Sequence, residues 1–171
     1  APIIRKTELA PGINRLDMLA PVIAAKAQPG QFVIVTNGEC GERIPLTIAG
    51  TDTGRGTITI IFQEVGRSTA DLGLLEEGET NTDLVGPLGK PTDIRLFGRV
   101  ACVGGGVRAA PLLPIATALH RSGSRIDTII GARNRELLIL VEEMQAVSDT
   151  LTIVTNDGSS GEQGFVTTPL E

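Results

Sequence analysis

The sequence predicts a β + α/β fold: an antiparallel barrel or sandwich, followed by a half built on a parallel sheet. Up to about residue 96, short runs rich in β-branched residues alternate with Gly, Pro and Asn turns, a rhythm typical of antiparallel sheets. From about residue 98, strand-like and helix-like segments alternate, which indicates right-handed βαβ crossovers. We therefore place the domain boundary between residues 96 and 97.

The first half contains four predicted strands and one predicted helix. The β-rich runs cover residues 3–4, 32–35, 43–48 and 57–62. Turn dipeptides such as Pro29-Gly30 and Asn37-Gly38 separate them. A helix is predicted over residues 68–75, after Gly66. Pro87, Gly89 and Pro91 predict a stiff connector into the second half.

In the second half, strands are predicted over residues 99–103, 125–131 and 151–155, with helices over 109–121 and 136–147. The carboxyl ends of parallel strands meet at one edge of a sheet, and ligands bind beyond that edge. We therefore expect the loops that follow the three strands to lie together; they cover residues 104–106, 131–133 and 156–159. Each loop taken singly also fits an ordinary turn.

The last four residues are typical of a helix start. Thr168 is suited to the N-cap, Pro169 to the first helical position and Glu171 to a capping box. This pattern predicts a chain truncated at its C-terminus.

Composition excludes several classes of function. The net charge of −5 and the absence of Trp and Tyr disfavour nucleic-acid binding. Cys40, Cys102 and the single His120 supply neither a zinc or iron–sulfur site from this chain alone nor a histidine-based catalytic triad. No apolar run approaches the roughly 20 residues that span a bilayer, so we expect a cytoplasmic protein with reduced cysteines.

The strongest local signal is the glycine run Gly104-Gly105-Gly106 between a predicted strand and helix. Glycines let the backbone approach a pyrophosphate, and a helix N-terminus offers unpaired N–H groups. A tight turn that needs positive φ is the alternative. Arg108 stands where the pattern calls for a small residue.

Two segments of the first half combine cations with hydroxyl groups. Residues 43–47 place an arginine and a threonine around a proline, and could clamp a phosphate; an edge strand with a surface arginine is the alternative. Residues 65–69 place a glycine, an arginine and two hydroxyls before the predicted helix. They form a small anion nest or an ordinary capped helix.

Taken together, these motifs resemble the ferredoxin reductase superfamily. The similar segments are residues 43–47 and 65–69 (flavin motifs), 86–89 (the exit from the barrel) and 104–112 (the nucleotide motif). Residues 131–134 and 157–167 are similar to one branch of it. That branch holds the electron-transfer subunit of type B dihydroorotate dehydrogenase and the small subunit of NADH-dependent ferredoxin:NADP oxidoreductase.

The resemblance implies an FAD-binding barrel over residues 1–96 and an incomplete Rossmann-like, NAD(P)-binding domain over residues 97–171. Thr47 would lie beside flavin N5, where the hydride is exchanged. The implied flavin-binding residues are Arg43, Pro45, Leu46, Thr47, Ile61, Phe62, Gln63, Gly66, Ser68 and Thr69. The implied nucleotide-binding residues are Gly104, Gly105, Gly106, Val107, Ala110, Pro111, Arg133 and Asp157.

The resemblance further implies electron transfer from NAD(P)H through FAD to a larger flavoprotein or iron–sulfur partner, with ferredoxin as a candidate donor or acceptor. The cysteine cluster that binds [2Fe–2S] in this branch is absent here, through truncation or loss. Three alternatives stay open: a dihydroorotate dehydrogenase subunit, a stand-alone flavin reductase, and a non-catalytic nucleotide-binding module. The sequence does not decide between NADH and NADPH.

Overall fold

A computed structural model describes residues 1–80 and 82–170 of the chain. It divides into two compact units, and the division lies between Thr92 and Asp93, a few residues before the boundary drawn from the sequence. Within the described residues, no helix has the length and apolar character needed to cross a membrane.

The N-terminal unit is a six-stranded antiparallel sheet in the order β1-β2-β5-β4-β3-β6. The strands are β1 (Ile3–Ala10), β2 (Ile13–Leu19), β3 (Phe32–Asn37), β4 (Arg43–Asp52), β5 (Thr57–Gln63) and β6 (Thr82–Leu88). Two helices accompany them, α1 (Pro21–Lys26) and α2 (Arg67–Gly73). Ile3 exchanges backbone hydrogen bonds of 2.8 and 3.0 Å with Gly78 and Glu79, just before β6. These bonds bring the two ends of the sheet together, so the arrangement is barrel-like.

The core of this unit comes from alternate residues of its strands. Leu16 and Met18 of β2 and Ile58 and Ile60 of β5 are fully buried. Successive side chains of a strand point to opposite faces, so every second residue faces the interior. Each large aliphatic side chain buried in this way contributes about 1.5–3 kcal/mol. The core therefore holds the barrel in shape and orients the outward-facing residues of β4.

Three elements of this unit were absent from the sequence prediction: β2, α1 and β6. The predicted connector is wrong in part, because Pro87 lies inside β6. Proline cannot donate to a ladder, so it is found on edge strands or at bulges. β6 meets this condition: it is the last strand in the sheet order, and its ladder runs with β3 alone.

The C-terminal unit is a four-stranded parallel sheet in the order β10-β9-β8-β7. Its elements are β7 (Arg99–Gly105), α3 (Ala109–Arg121), β8 (Arg125–Ala132), α4 (Val141–Val147), β9 (Thr150–Thr155) and β10 (Glu162–Gln163). This arrangement confirms the predicted α/β second half. The helix predicted over residues 109–121 has the predicted bounds.

The helix predicted over residues 136–147 is wrong in its first half. The structure has a 3-10 turn over Arg135–Leu137 and begins α4 at Val141. Between them Leu140 has a φ of 60°, in the left-handed region that costs a non-glycine residue about 1–2 kcal/mol. Ile139 and Leu140 are both buried, so packing offsets this cost and breaks the helix.

The C-terminal end of the chain forms a helical turn where the sequence predicts a helix start. Thr168–Leu170 form a single 3-10 turn, and the Thr168 hydroxyl accepts a 3.1 Å hydrogen bond from the backbone N–H of Phe165. Glu171, the predicted partner in the capping box, lies outside the described residues.

Candidate functional site

A cleft of about 730 Å³ opens in the N-terminal unit, between the start of β4 and the start of α2. Its volume lies within the ~300–1,000 Å³ usual for small-molecule sites. It brings together five of the sequence-predicted residues: Arg43, Pro45, Gly66, Ser68 and Thr69. The other lining residues are Asn37, Cys40, Gly41, Glu42, Ile44, Val65, Arg67 and Asp71.

β4 sorts the predicted residues onto two faces. Ile44 and Leu46 pack against the barrel core, together with buried Ile48. Because strand side chains alternate, Arg43, Pro45 and Thr47 share the opposite face. The side chain of Leu46 therefore points away from the face that carries Arg43.

Pro45 occupies a stretch of β4 that tolerates a missing N–H group. Residues 43–47 pair with β3 alone, since the pairs with β5 begin at Ile48. The edge of this stretch that faces away from β3 pairs with no described strand. A proline there breaks no sheet hydrogen bond. This edge leaves room for the cleft.

The hydroxyl group of Thr69 caps the N-terminus of α2. Thr69 Oγ1 accepts hydrogen bonds from the backbone N–H groups of Val65 at 3.0 Å and Gly66 at 3.1 Å. Gly66 has an extended φ of −160°, and an added Cβ would meet nothing within 4 Å. Neither the backbone conformation nor packing against the described residues requires glycine at this position, and a side chain here would project into open space beside the cleft.

The charges in the cleft are mixed. Arg43 and Arg67 supply two exposed guanidinium groups. Arg67 Nε lies 3.9 Å from the Asp71 carboxylate, a solvent-exposed contact that stabilises the fold little. Both arginines are therefore available to pair with a phosphate, which a guanidinium recognises through two parallel hydrogen bonds.

A carboxylate lies next to these cations. Glu42 accepts a hydrogen bond from the hydroxyl group of Ser68 across the cleft. Sequence reasoning missed Glu42, Cys40 and Asp71 as members of the site, whereas Arg67 was the cation of the anion nest predicted over residues 65–69. Glu42 was signalled by its place beside the first motif, and nothing local pointed to Cys40.

The remaining residues predicted for the flavin lie outside the cleft lining. Thr47 is half-buried on the same face of β4 as Pro45. Ile61 and Phe62 are buried, and Phe62 belongs to the barrel core. Gln63 is exposed at the end of β5.

The glycine run of the C-terminal unit lies at the carboxyl end of β7. A Cβ on Gly104 would come within 3.1 Å of Leu112 Cδ2, so this glycine lets α3 pack closely on the strand. Gly106 has a φ of 58°, which only glycine adopts without strain, and faces open space. Gly104 thus serves close packing, and Gly106 serves a turn that needs positive φ beside open space. Val107 and Pro111 are partly exposed nearby, whereas Ala110 is buried.

The loops after β8 and β9 are joined to each other. The backbone N–H of Asp157 donates to the carbonyl of Arg133 at 3.2 Å. Ser159 Oγ donates to Asp157 Oδ1 at 2.6 Å and accepts from the N–H of Arg135 at 2.8 Å. The hydroxyl and N–H of Ser159 stabilise the ionised form of Asp157 and lower its pKa. Arg133 and Asp157 are both exposed at this edge.

Side chains that could ligate a metal ion are scattered over the described residues. Within residues 1–80 and 82–170, no three His, Cys, Asp or Glu side chains are placed to hold a metal ion.

Comparisons with known proteins support the fold described above. No family model matches the chain. A homologue of the electron transfer subunit of dihydroorotate dehydrogenase B (NAD(+)) from Thermotoga maritima is 43% identical over 169 residues, covering 99% of this chain and 60% of the relative. A solved structure of an NADH-dependent reduced ferredoxin-NADP oxidoreductase matches with a TM-score of 0.93 and 41% identity, covering 99% of this chain and 61% of that one. The chain is thus similar over nearly its whole length to these two proteins, and it has a ferredoxin reductase-like fold.

A more distant solved structure shows the fold alone. The structure of phthalate dioxygenase reductase matches with a TM-score of 0.72 at 21% identity, covering 92% of this chain and 51% of that one. The predicted fold class and family resemblance are therefore confirmed. The chain spans about 60% of the length of the first curated relative and of the first solved structure that it matches.

Proposed function

We propose that the chain is a flavin-dependent electron-transfer subunit, in which the barrel cleft binds FAD and the carboxyl edge of the parallel sheet binds NAD(P)H. The observation that carries this proposal is the cleft itself. Residues 43–45 and 66–69 belong to two separate motifs of the sequence, and both line it. Relatives named as electron transfer subunits support the same reading.

The donors of the cleft fit a flavin nucleotide. Arg43 and Arg67 match the charge of its phosphates, and the space above Gly66 permits close approach. When bound, the flavin would supply the redox chemistry, accepting a hydride from the nicotinamide and releasing electrons one at a time. Thr47, on the same face of β4 as Arg43, is the residue we assign to the reacting edge, where its hydroxyl would orient the ring.

The nucleotide would lie along the carboxyl edge of the C-terminal unit. Gly106 leaves open space for a pyrophosphate, and Gly104 keeps α3 close to the strand. Arg133 and Asp157 would flank the nucleotide from the joined loops. Gly105, Val107, Ala110 and Pro111 would complete the floor, with Ala110 contributing through packing because it is buried.

The electrons would leave through a partner. The first relative is named as a homologue of an electron transfer subunit, which supports a hetero-oligomer with a larger flavoprotein or iron–sulfur subunit. Ferredoxin is a candidate donor or acceptor. A [2Fe–2S] centre would need ligands beyond Cys40 and Cys102, the only cysteines of this sequence.

A second candidate, the electron transfer subunit of a dihydroorotate dehydrogenase, is favoured by the names of the curated relatives. The two candidates share the NAD(P)H-to-flavin step and differ in the acceptor. The acceptor therefore distinguishes them: reduced flavin would pass electrons to ferredoxin in the first case, and exchange them with a dihydroorotate-oxidising partner in the second.

The test is the visible spectrum of the purified chain loaded with FAD, followed by anaerobic addition of NADH and, separately, NADPH. We expect flavin bands that bleach with one of the two nucleotides. A chain that binds no flavin would contradict the proposal and favour a non-catalytic nucleotide-binding module. Bound flavin that neither nucleotide reduces would contradict the proposed nucleotide site, with Arg108 the first residue to replace.

A further inference from the structure

Glu42 is an acidic residue in a cleft that the proposed function assigns to phosphates. It precedes Arg43 directly, lines the cleft and accepts a hydrogen bond from the Ser68 hydroxyl. An ionised carboxylate is only an acceptor, and it cannot help to bind a phosphate. Its presence beside Arg43, Arg67 and Ser68 therefore suits a ligand that has a hydrogen-bond donor as well as phosphates.

The chemistry of flavin nucleotides offers such a partner. FMN ends in a phosphate monoester, and a group of this kind carries about −1.5 to −2 charge at pH 7. FAD carries instead a diphosphate linked to a ribose, whose two hydroxyl groups are hydrogen-bond donors. Acidic side chains recognise ribose hydroxyls in nucleotide sites. Glu42 already accepts a hydrogen bond from one hydroxyl group of the cleft, that of Ser68, and an ionised carboxylate can accept from further hydroxyls through its two oxygens.

The other charges of the cleft also favour FAD over FMN. Arg67 lies near Asp71, so two acidic groups face the two guanidinium groups in the same space. A terminal monoester concentrates about −1.5 to −2 charge on one phosphate, and Glu42 would repel it at short range. A diphosphate spreads its charge over two groups, and its ribose satisfies the acid.

We propose that Glu42 makes the cleft select FAD over FMN, by accepting hydrogen bonds from ribose hydroxyls and repelling a phosphate monoester. This inference rests on the proposed function, because it assumes that the cleft holds a flavin nucleotide. Glu42 is a specificity-determining residue in this reading and takes no part in the hydride transfer.

The experiment compares the affinities of the purified full chain for FAD and FMN by ultrafiltration, with the free flavin measured by absorbance. Glu42→Gln removes the charge and keeps the shape of the side chain. Glu39→Gln is the matched control, since Glu39 lies in the same loop, is exposed and is not among the described residues that line the cleft. Thermal unfolding followed by circular dichroism checks that both variants fold as the parent does.

We expect the ratio of the FMN dissociation constant to the FAD dissociation constant to fall at least about tenfold in Glu42→Gln, which corresponds to about 1.4 kcal/mol. In Glu39→Gln it should stay within about twofold of the parent. An unchanged ratio in Glu42→Gln, or equal changes in the two variants, would overturn the role of Glu42 while leaving the flavin site in place. A parent chain that binds neither flavin would overturn the proposed function as well.

Discussion

Val166 lies against Gly131 so closely that a Cβ on the glycine would come within 2.7 Å of Val166 Cγ1 and 2.6 Å of the Val154 carbonyl oxygen. The valine belongs to the loop after β10. The glycine is the last but one residue of β8 and pairs with Gly105 of the glycine run. This contact brings the last described segment of the chain onto the carboxyl edge of the parallel sheet.

Replacing Gly131 by alanine should therefore destabilise the C-terminal unit. Overpacking of this kind costs about 1–3 kcal/mol, and a clash with a backbone oxygen leaves little room for relaxation. Gly105→Ala is the matched control, because its Cβ would lie 3.8 Å from the same valine, at ordinary contact distance. Urea unfolding of both variants measures the difference. Equal stabilities would show that the loop yields and that the contact is not structural.

Arg43 should contribute much of the binding free energy for FAD. Hydrogen bonds to charged groups contribute about 1.5–3 kcal/mol, so Arg43→Gln is expected to weaken FAD binding at least about tenfold. Arg55→Gln controls for the loss of a positive charge, since Arg55 is exposed in the turn between β4 and β5. Ultrafiltration with FAD gives both affinities. If the two variants lose affinity alike, the effect is one of general charge and Arg43 does not contact the flavin.

The two cysteines should differ sharply in reactivity. Cys102 is buried, and this burial raises the pKa of its thiol, so little thiolate is present at neutral pH. Cys40 is exposed and lines the cleft. We expect iodoacetamide to modify Cys40 in the folded chain and Cys102 only after unfolding, as mass spectrometry of peptides would show.

Alkylation of Cys40 by iodoacetamide also tests whether FAD occupies the cleft. Saturating FAD should slow the alkylation of Cys40, because a ligand in the cleft would cover the thiol. A rate that is unchanged by FAD would place the bound flavin elsewhere on the barrel.

Asp157 should titrate below its ordinary range. Its folded-state pKa is lowered by the hydroxyl and N–H of Ser159, so its stabilising effect is complete above the unfolded-state pKa. That effect is lost as the pH falls through the lowered folded-state value. Carboxyl carbon NMR shifts measured against pH would show this, and Ser159→Ala should move the pKa upward. A pKa that Ser159→Ala leaves unchanged would contradict the hydrogen bonds assigned to this turn.

Some of the site was legible in the sequence because the signal is local. The motif over residues 43–47 predicted Arg43 and Pro45 as site residues, and both line the cleft. Leu46, which the same motif predicted to bind flavin, turns its side chain to the barrel core, because strand side chains alternate between two faces. The glycine run and the helix over residues 109–121 were likewise set by neighbouring residues.

Other features depended on partners distant in sequence. The predicted helix over residues 136–147 breaks because Ile139 and Leu140 are buried, and local helix preference carries no information about that burial. The hydrogen bond that places Glu42 in the candidate site comes from Ser68, which lies 26 positions further along the chain.

The sequence by itself determined the order of the barrel and the parallel sheet, because strand periodicity and glycine-rich turns act over a few residues. It also determined the presence in the barrel of two segments that combine cations with hydroxyl groups. Only the tertiary structure decided that the two motifs of the barrel share one cleft with Glu42 and Cys40. It also decided that Val166 lies on Gly131. Those relationships come from strand pairing and close packing between residues far apart in sequence, which no local pattern specifies.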